Sequence, residues 1–313
     1  MPDRVRDRWA EWVLDRSFGG DRARRAEGLG KLAEVRDRVL DGTELEPGQT
    51  LLDVGAGDGL IGFGALERVM PQGRVVFSDV SGDLLAHCRL LADELGVSER
   101  CEFVLASADD LEPIEDESVD AVTTRSVLIY LDREGKRRAF EEFHRVLRAG
   151  GRLSIFEPIN SFGSPEPAGW FLGYDLRPIA HLAARVVAAC SPEEERTLTD
   201  FDERELLGWA EGAGFDPIRL RYEVDLEPGS WLAGSWETVL RTSGNPLMPT
   251  VGEALDEALT ADERAVFEAH LRPLVETNAG RRRAAVAYLS AAKPTLGAAG
   301  AAAWRRAETA GGH

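Results

Sequence analysis

The stretch LLDVGAGDGL, residues 51–60, constrains this chain more than any other part of it. An apolar run ends at Asp53, and glycines then follow at alternate positions, Gly55, Gly57 and Gly59. Because glycine has no Cβ atom, such a turn between a strand and a helix lets the backbone approach a ligand closely. The segment therefore predicts a ligand-binding turn, the glycine loop, at the carboxyl end of a buried strand.

Strand and helix patterns alternate from residue 49 to residue 158. Strands are predicted at 50–54, 74–80, 101–107, 119–125 and 152–158, and later at 217–226 and 284–291. Parallel strands need long crossovers, which the intervening helices supply. The order therefore predicts an α/β fold with a doubly wound, seven-stranded, mostly parallel sheet.

Two helix ends can be predicted from local residues. Ser81 precedes an amphipathic segment and is predicted to be its N-cap. The helix that begins at Arg133 has apolar residues on one face as far as Leu147. It is predicted to stop at the glycine pair Gly150 and Gly151, since glycine commonly follows a helix.

Seven segments are predicted along the chain. Two insertions interrupt the alternation of strands and helices, and we expect them to form a helical lid over the ligand-binding edge of the sheet. The segments are an N-terminal helical segment (1–48), the core (49–158), the first insertion (159–199), the core continuation (200–226), the second insertion (227–281), the final core strand (282–292) and an Ala/Gly-rich tail expected to be disordered (293–313).

Composition narrows the classes of partner. The formal net charge of -18 argues against nucleic-acid binding, which relies on Lys and Arg neutralising phosphates. Cys88, Cys101 and Cys190 form no CxxC or Cys/His pattern, so we expect reduced thiols and no metal site. No apolar run reaches the ~18 residues of a membrane span, and the charged N-terminus does not resemble a secretory signal. We therefore expect a cytoplasmic protein without a membrane partner, of undetermined oligomeric state.

The pattern D-x-G-x-G-x-G, from Asp53 to Gly59, resembles the first motif of class I S-adenosylmethionine-dependent methyltransferases. Dinucleotide enzymes use G-x-G-x-x-G instead, and Leu60 stands where their third glycine would be. Further landmarks of the family follow in order: Asp79 at the end of the second strand, SADDL (107–111), VDAVTTRSVLIYL at the fourth strand and FHRVLRAGGRLSIFEP up to the fifth. The resemblance covers about residues 45–158 and resumes weakly at 201–225 and 284–291.

The resemblance implies a role in cofactor binding for each landmark beside the glycine loop. Asp79 would accept hydrogen bonds from the ribose hydroxyls of S-adenosylmethionine, and such charge-assisted bonds contribute about 1.5–3 kcal/mol each. Ala108 and Asp109 would lie beside the adenine. Asp53 would hold the loop from below or reach the methionine end through water. Arg125 would contact the methionine moiety, or alternatively pair with a surface acid.

Catalysis is less constrained, because methyl transfer from a sulfonium mainly requires alignment and, for a protonated acceptor, removal of a proton. Glu157 and Tyr130 lie just beyond predicted strand ends, and His181 lies in the first insertion; these are the candidate catalytic residues. Each of these residues is also open to the alternative interpretation that it has a structural role and takes no part in catalysis. Trp170, Phe171 and Tyr174 are similarly open to two interpretations, as the wall of an acceptor pocket or as the insertion's own core.

The predicted function is methyl transfer from S-adenosylmethionine to a small or medium-sized organic acceptor of the natural-product or metabolite type. A modified peptide terminus or a carboxylate is the alternative acceptor. A non-catalytic S-adenosylmethionine-binding scaffold is the alternative of another class, and a nicotinamide dehydrogenase comes third because of Leu60. The identity of the acceptor, the methylated atom and the use of a general base stay open.

Overall fold

The computed structural model describes residues 6–190 and 197–295, apart from the side chains of residues 22–25 and 27. Most of the tail, 293–313, lies outside the described residues, and so does the prediction that it is disordered. None of the described helices combines the length and the apolar character needed to span a bilayer.

Nine strands and ten helices make up the regular structure of the described residues. The strands are β1 (Thr50–Val54), β2 (Arg74–Asp79), β3 (Cys101–Leu105), β4 (Val119–Arg125), β5 (Leu147–Pro158), β6 (Trp170–Phe171), β7 (Tyr174–Asp175), β8 (Ile218–Pro228) and β9 (Arg281–Ala292). The helices are α1 (Arg8–Leu14), α2 (Arg22–Gly42), α3 (Leu60–Val69), α4 (Gly82–Glu94), α5 (Arg133–Val146), α6 (Ala180–Ala189), α7 (Glu203–Gly212), α8 (Trp236–Arg241), α9 (Val251–Ala258) and α10 (Ala261–Glu276).

The seven-stranded sheet has the order β3-β2-β1-β4-β5-β9-β8, which confirms the predicted fold class. Within this sheet, the four pairs formed among β1 to β5 are all parallel. The direction of winding reverses between β1 and β4, and ligands of open α/β sheets bind at such a reversal, beyond the carboxyl ends of the strands. The glycine loop follows β1, so the sheet order places it at this point.

Of the described residues, 34–157, 203–221 and 287–295 form one compact unit, which contains most of the sheet. Helices α2, α3 and α4 contribute to a buried core with β1 and β2. At Gly62 on α3, an added Cβ atom would lie 2.2 Å from the Phe77 ring, so glycine lets this helix pack closely on β2. Phe77 in turn stacks on Phe103 with ring centroids 5.2 Å apart. This packing fixes the start of α3 directly after the glycine loop.

The described residues in 6–33, 158–190, 197–202 and 222–286 form the other compact unit. Both predicted insertions contribute to one hydrophobic core in it. Phe171 and Tyr174 are buried in this core, and the Tyr174 hydroxyl donates to the Leu232 carbonyl at 3.0 Å. These two aromatic side chains are therefore core residues of this unit. The division of the chain into segments, and the lid that the insertions were expected to form, stay predictions.

The two predicted helix ends differ in outcome. Ser81 is the N-cap of α4, its hydroxyl accepting from the Leu84 amide at 3.0 Å. The predicted end of α5 at Gly150 and Gly151 is wrong, because the helix ends at Val146 and Leu147 begins β5. Leu147 is fully buried and pairs with Val119 of β4, so sheet pairing outweighs the helical periodicity that its position satisfies.

Candidate cofactor and acceptor site

The glycine loop adopts a backbone that only glycine enters at low cost. Gly55, Gly57 and Gly59 have φ values of 66°, 58° and 85°, in the left-handed region. A Cβ atom on Gly55 would also lie 2.2 Å from Cγ2 of Val127, in the segment after β4. The loop is therefore shaped by its own backbone and by direct contact with the end of the neighbouring strand.

Asp53 lies beneath the loop and is buried. Its Oδ2 atom accepts from the Gly62 amide at 2.9 Å, and Oδ1 accepts from the Thr123 hydroxyl at 3.0 Å. Burial raises the pKa of Asp53 to about 7, although both hydrogen bonds oppose the rise. The side chain thus joins the first turn of α3 to β4, and it supports the loop through α3 rather than through the loop's own amides.

Asp79, at the end of β2, is hydrogen-bonded to the glycine loop. Its carboxylate is 6% exposed, and Oδ2 accepts from the Gly57 amide at 2.9 Å while Oδ1 accepts from the Ser81 amide at 2.8 Å. A carboxylate oxygen has two lone pairs, so one amide donor does not prevent it from accepting a hydroxyl as well. The predicted ribose-binding acid is therefore also bonded to the glycine loop.

The segment predicted to lie beside the adenine follows β3. Ala108 is buried, and the Asp109 carboxylate accepts from the Ser107 hydroxyl and from Arg138 at 2.6 Å. Burial alone would raise the pKa of Asp109, but these two donors outweigh it and hold the pKa below its usual range. The carboxylate is thus already bonded to two protein groups.

Arg125 ends β4 at the same edge of the sheet and is half-buried. Its side chain makes no hydrogen bond or salt bridge with any residue in 6–190 or 197–295. The alternative interpretation, pairing with a surface acid, is therefore not observed in this part of the chain. Burial raises the pKa of both Asp53 and Tyr130, and the charge of Arg125 opposes the rise in each case.

Glu157, near the end of β5, is fully buried. Its Oε1 atom accepts from the amides of Val127 at 2.8 Å and Leu128 at 3.0 Å, whereas Oε2 has no hydrogen-bond partner in the part of the chain that the structure describes. Burial raises the pKa of Glu157 to about 7, against the opposing effects of the backbone donors and of Lys136. One oxygen therefore orders the segment after β4, and the other is an unsatisfied acceptor.

The other two catalytic candidates lie in different surroundings. Tyr130 ends the short 3-10 turn Leu128–Tyr130, and burial together with the Glu157 charge raises the pKa of its phenol. A phenol with a raised pKa is suited to donating a hydrogen bond rather than to accepting a proton at neutral pH. His181 lies in the first turn of α6, in the other compact unit, with its side chain exposed.

Lys136 belongs to the electrostatics of Glu157 but was missed among the predicted site residues. It is fully buried in α5, and its ammonium donates to the Leu131 carbonyl. A signal was present in the sequence, since Lys136, Ala139, Phe140 and Phe143 recur at helical spacing on one face, and the last three are buried. A lysine in such a stripe indicates a buried charge that needs partners.

A doubly wound sheet with a glycine loop at its winding reversal and an acid after β2 is typical of nucleotide-binding α/β proteins. Residues 51–151 match the family model described as "Methyltransferase domain". An arsenite methyltransferase of Halobacterium salinarum is 30% identical over 58% of this chain and 53% of its own length. A ubiquinone/menaquinone biosynthesis C-methyltransferase, UbiE, of Brucella anthropi is 39% identical over 36% of this chain and 41% of its own length.

The solved structure of the Bacillus subtilis YcgJ protein has a TM-score of 0.52 and 16% identity, over 83% of this chain and 97% of that one, and shows the shared fold. The matches span about half the length or less of the curated relatives. Over residues 51–151, the segment that the family model matches, the chain is therefore similar to class I S-adenosylmethionine-dependent methyltransferases.

The free energy of unfolding is expected to depend on the protonation of Glu157. Burial raises its pKa from the ordinary value of 4.5 to about 7, so the folded protein retains a proton that the unfolded chain releases. The resulting stabilisation is complete below pH 4.5 and is lost as the pH rises through about 7. Relative to Glu157→Gln, the wild type should lose roughly 2 kcal/mol between about pH 5 and pH 8.

Chemical denaturation at several pH values measures this difference. Glu102→Gln is the matched control, because Glu102 is exposed on β3 and should leave the pH dependence of the wild type unchanged. Parallel curves for the wild type and Glu157→Gln would show that Glu157 is ionised throughout this range.

Proposed function

We propose that this protein transfers a methyl group from S-adenosylmethionine to a small or medium-sized organic acceptor. The observation that carries the proposal is the joining of Asp79 to the glycine loop through the Gly57 amide, at the winding reversal of the sheet. This arrangement presents a carboxylate to the ribose and a Cβ-free backbone to the rest of the cofactor. The match of residues 51–151 to the methyltransferase domain model supports the same reaction.

In the proposed complex, each end of the cofactor has a chemically matched group. Asp79 accepts from the ribose hydroxyls, while the buried Ala108 and the backbone beside it line the adenine. Arg125, which has no salt-bridge partner in the described chain, pairs with the methionine carboxylate. Asp53 holds the loop in place through Gly62. Alignment of the sulfonium methyl group then depends on residues beyond β4 and β5.

Glu157 is the proposed catalytic residue at the acceptor end. Its buried Oε2 atom has no hydrogen-bond partner among the described residues, and its pKa of about 7 suits a proton acceptor near neutral pH. Tyr130 is proposed to orient the acceptor by donating a hydrogen bond. His181 is the second candidate for the base.

The acceptor is proposed only as a class. The two relatives are named for different acceptors, one for arsenite and the other for a carbon atom in quinone biosynthesis, and they match only part of their length. A peptide terminus or a carboxylate is the alternative acceptor. The net charge of -18 supports the absence of a nucleic-acid substrate. The cytoplasmic location stays a prediction.

Isothermal titration calorimetry tests the cofactor assignment. S-Adenosylmethionine and its demethylated product should both bind with dissociation constants on the order of micromolar, and NAD should give no heat of binding. Binding of NAD without binding of S-adenosylmethionine would refute the proposal. A tritiated-methyl assay against fractionated metabolites then separates an enzyme, which labels an acceptor, from a scaffold, which binds the cofactor and labels nothing.

A further inference from the structure

Strand β8 is the last strand of the sheet, so one of its sides has no neighbouring strand among the residues that the structure describes. It is eleven residues long, and most of its side chains are exposed. Its even-numbered residues are apolar, and three of them are large and accessible: Tyr222 at 37%, Val224 at 42% and Leu226 at 50% exposure. A long apolar edge strand of this kind is a template for pairing with another chain.

The hydrogen bonds to β9 show which backbone groups face outward. The Pro217 carbonyl accepts from the Ala292 amide, and the Gly229 amide donates to the Gly280 carbonyl. Every second residue of a strand directs its amide and carbonyl groups toward the same neighbouring strand. Since Pro217 and Gly229 bond to the β9 side, the odd-numbered residues of β8 direct their backbone groups toward β9. The even-numbered residues, 218–226, therefore direct their amides and carbonyls toward the open side.

The charges of β8 are self-complementary. Arg219 and Arg221 lie in its first half, and Glu223, Asp225 and Glu227 lie in its second half, all at odd-numbered positions on one face. The two arginines make no hydrogen bond or salt bridge with the residues that the structure describes. Asp225 and Glu227 approach Arg282 at 3.8 and 2.8 Å, so acids on this face are already within reach of cations.

We propose that β8 pairs antiparallel with β8 of a second copy of this chain, with Tyr222 on the two-fold axis. In this register Arg221 of each copy lies opposite Glu223 of the other, and Arg219 lies opposite Asp225. Opposite charges that face each other directly stabilise a strand pair, and like charges destabilise it.

In the same register, apolar residues of one β8 strand also lie opposite apolar residues of the other. Leu220 lies opposite Val224 of the second copy, Ile218 lies opposite Leu226, and the two Tyr222 residues face each other across the axis. The outward-facing Tyr222 amide and carbonyl then form a pair of hydrogen bonds with their symmetry equivalents.

Other registers are less favourable. A shift of the axis by one residue in either direction places Glu223 opposite Glu223, or Arg221 opposite Arg221. A register with the axis between two residues places apolar residues opposite charged ones, since opposite residues share a face of the sheet. The two-fold pairing occupies the open edge of both copies, so it closes at a dimer instead of continuing into a fibre.

Sedimentation velocity and light scattering over a concentration series test this pairing. The wild type should dimerise with a dissociation constant on the order of micromolar to tens of micromolar, because the net charge of -18 on each copy opposes association. Arg221→Glu and Glu223→Arg each create two like-charge contacts and should raise the dissociation constant at least about tenfold. An equimolar mixture of the two variants restores both contacts and should form heterodimers with nearly wild-type affinity.

The matched control is Glu102→Arg, a charge reversal on β3, the strand at the opposite edge of the sheet. It should leave the dissociation constant unchanged. Circular dichroism melting of each variant establishes that it is folded. A wild type that stays monomeric at about 100 µM, a dimer that survives both reversals, or single variants that the mixture does not rescue would each overturn the proposal.

Discussion

Replacement of Asp79 by alanine is expected to weaken the binding of S-adenosylmethionine by roughly ten- to a hundredfold. Loss of the charge-assisted hydrogen bonds to the ribose accounts for about 1.5–3 kcal/mol of binding free energy. The same substitution leaves the Gly57 amide without its acceptor, so the glycine loop also loses the contact that holds it in its binding conformation. Calorimetric titration of the folded variant measures the combined effect.

Asp110→Ala is the control for the loss of a negative charge at this edge of the sheet. Asp110 is exposed, and its carboxylate accepts only a long hydrogen bond, 3.4 Å, from the Glu112 amide. Its removal should change the affinity less than about twofold. If Asp79→Ala binds the cofactor as tightly as the wild type, the ribose is held by other groups, and the proposed role of Asp79 is wrong.

Glu157→Gln is expected to slow turnover ~10²-fold or more, the usual scale for a positioned base, with little change in cofactor affinity. A glutamine carbonyl oxygen still accepts from the amides of Val127 and Leu128, so the segment after β4 keeps its position. The substitution removes only the basic oxygen. Single-turnover rates with a responsive acceptor, together with the dissociation constant of S-adenosylmethionine, separate these two quantities.

Glu157→Ala separates the chemical role from the positional one. It removes both hydrogen bonds, so Val127 should lose its fixed contact with Gly55 and cofactor binding should weaken as well. The wild-type rate should also rise with pH through about 7, where Glu157 becomes ionised, and the glutamine variant should lack this rise. Undiminished turnover in Glu157→Gln would leave Glu157 with a structural role only, and His181 or Tyr130 would become the candidate base.

The sheet and the glycine loop could be predicted because each depends on short-range pattern. The alternation of buried strands with amphipathic helices predicts parallel pairing, and the sheet order confirms it. The error at the end of α5 has a local cause. Leu147 fits both the apolar periodicity of the preceding helix and the pattern of a buried strand. Only its pairing with Val119, which is distant in the sequence, makes it part of the strand.

The surroundings of Glu157 could not be predicted in the same way. Its position near the end of a strand is readable from the sequence, but its bonds reach residues that lie 29 and 30 positions away. Lys136 was overlooked although it shares the helical spacing of a buried stripe, because lysine is ordinarily a solvated residue. The two interpretations of Arg125 were contact with the methionine moiety and pairing with a surface acid. They too could be compared only once the neighbours of its side chain were known.

The sequence by itself determined the class of fold, the place of the glycine loop and the identity of the acid after β2, since strand periodicity and glycine's backbone freedom are properties of neighbouring residues. Only the tertiary structure decided which of the acids are buried, and therefore which have a raised pKa. It also decided that Asp79 bonds to the loop and that β8 lies at an open edge of the sheet. Burial and strand order depend on contacts between distant segments, and these contacts exist only after the chain has folded.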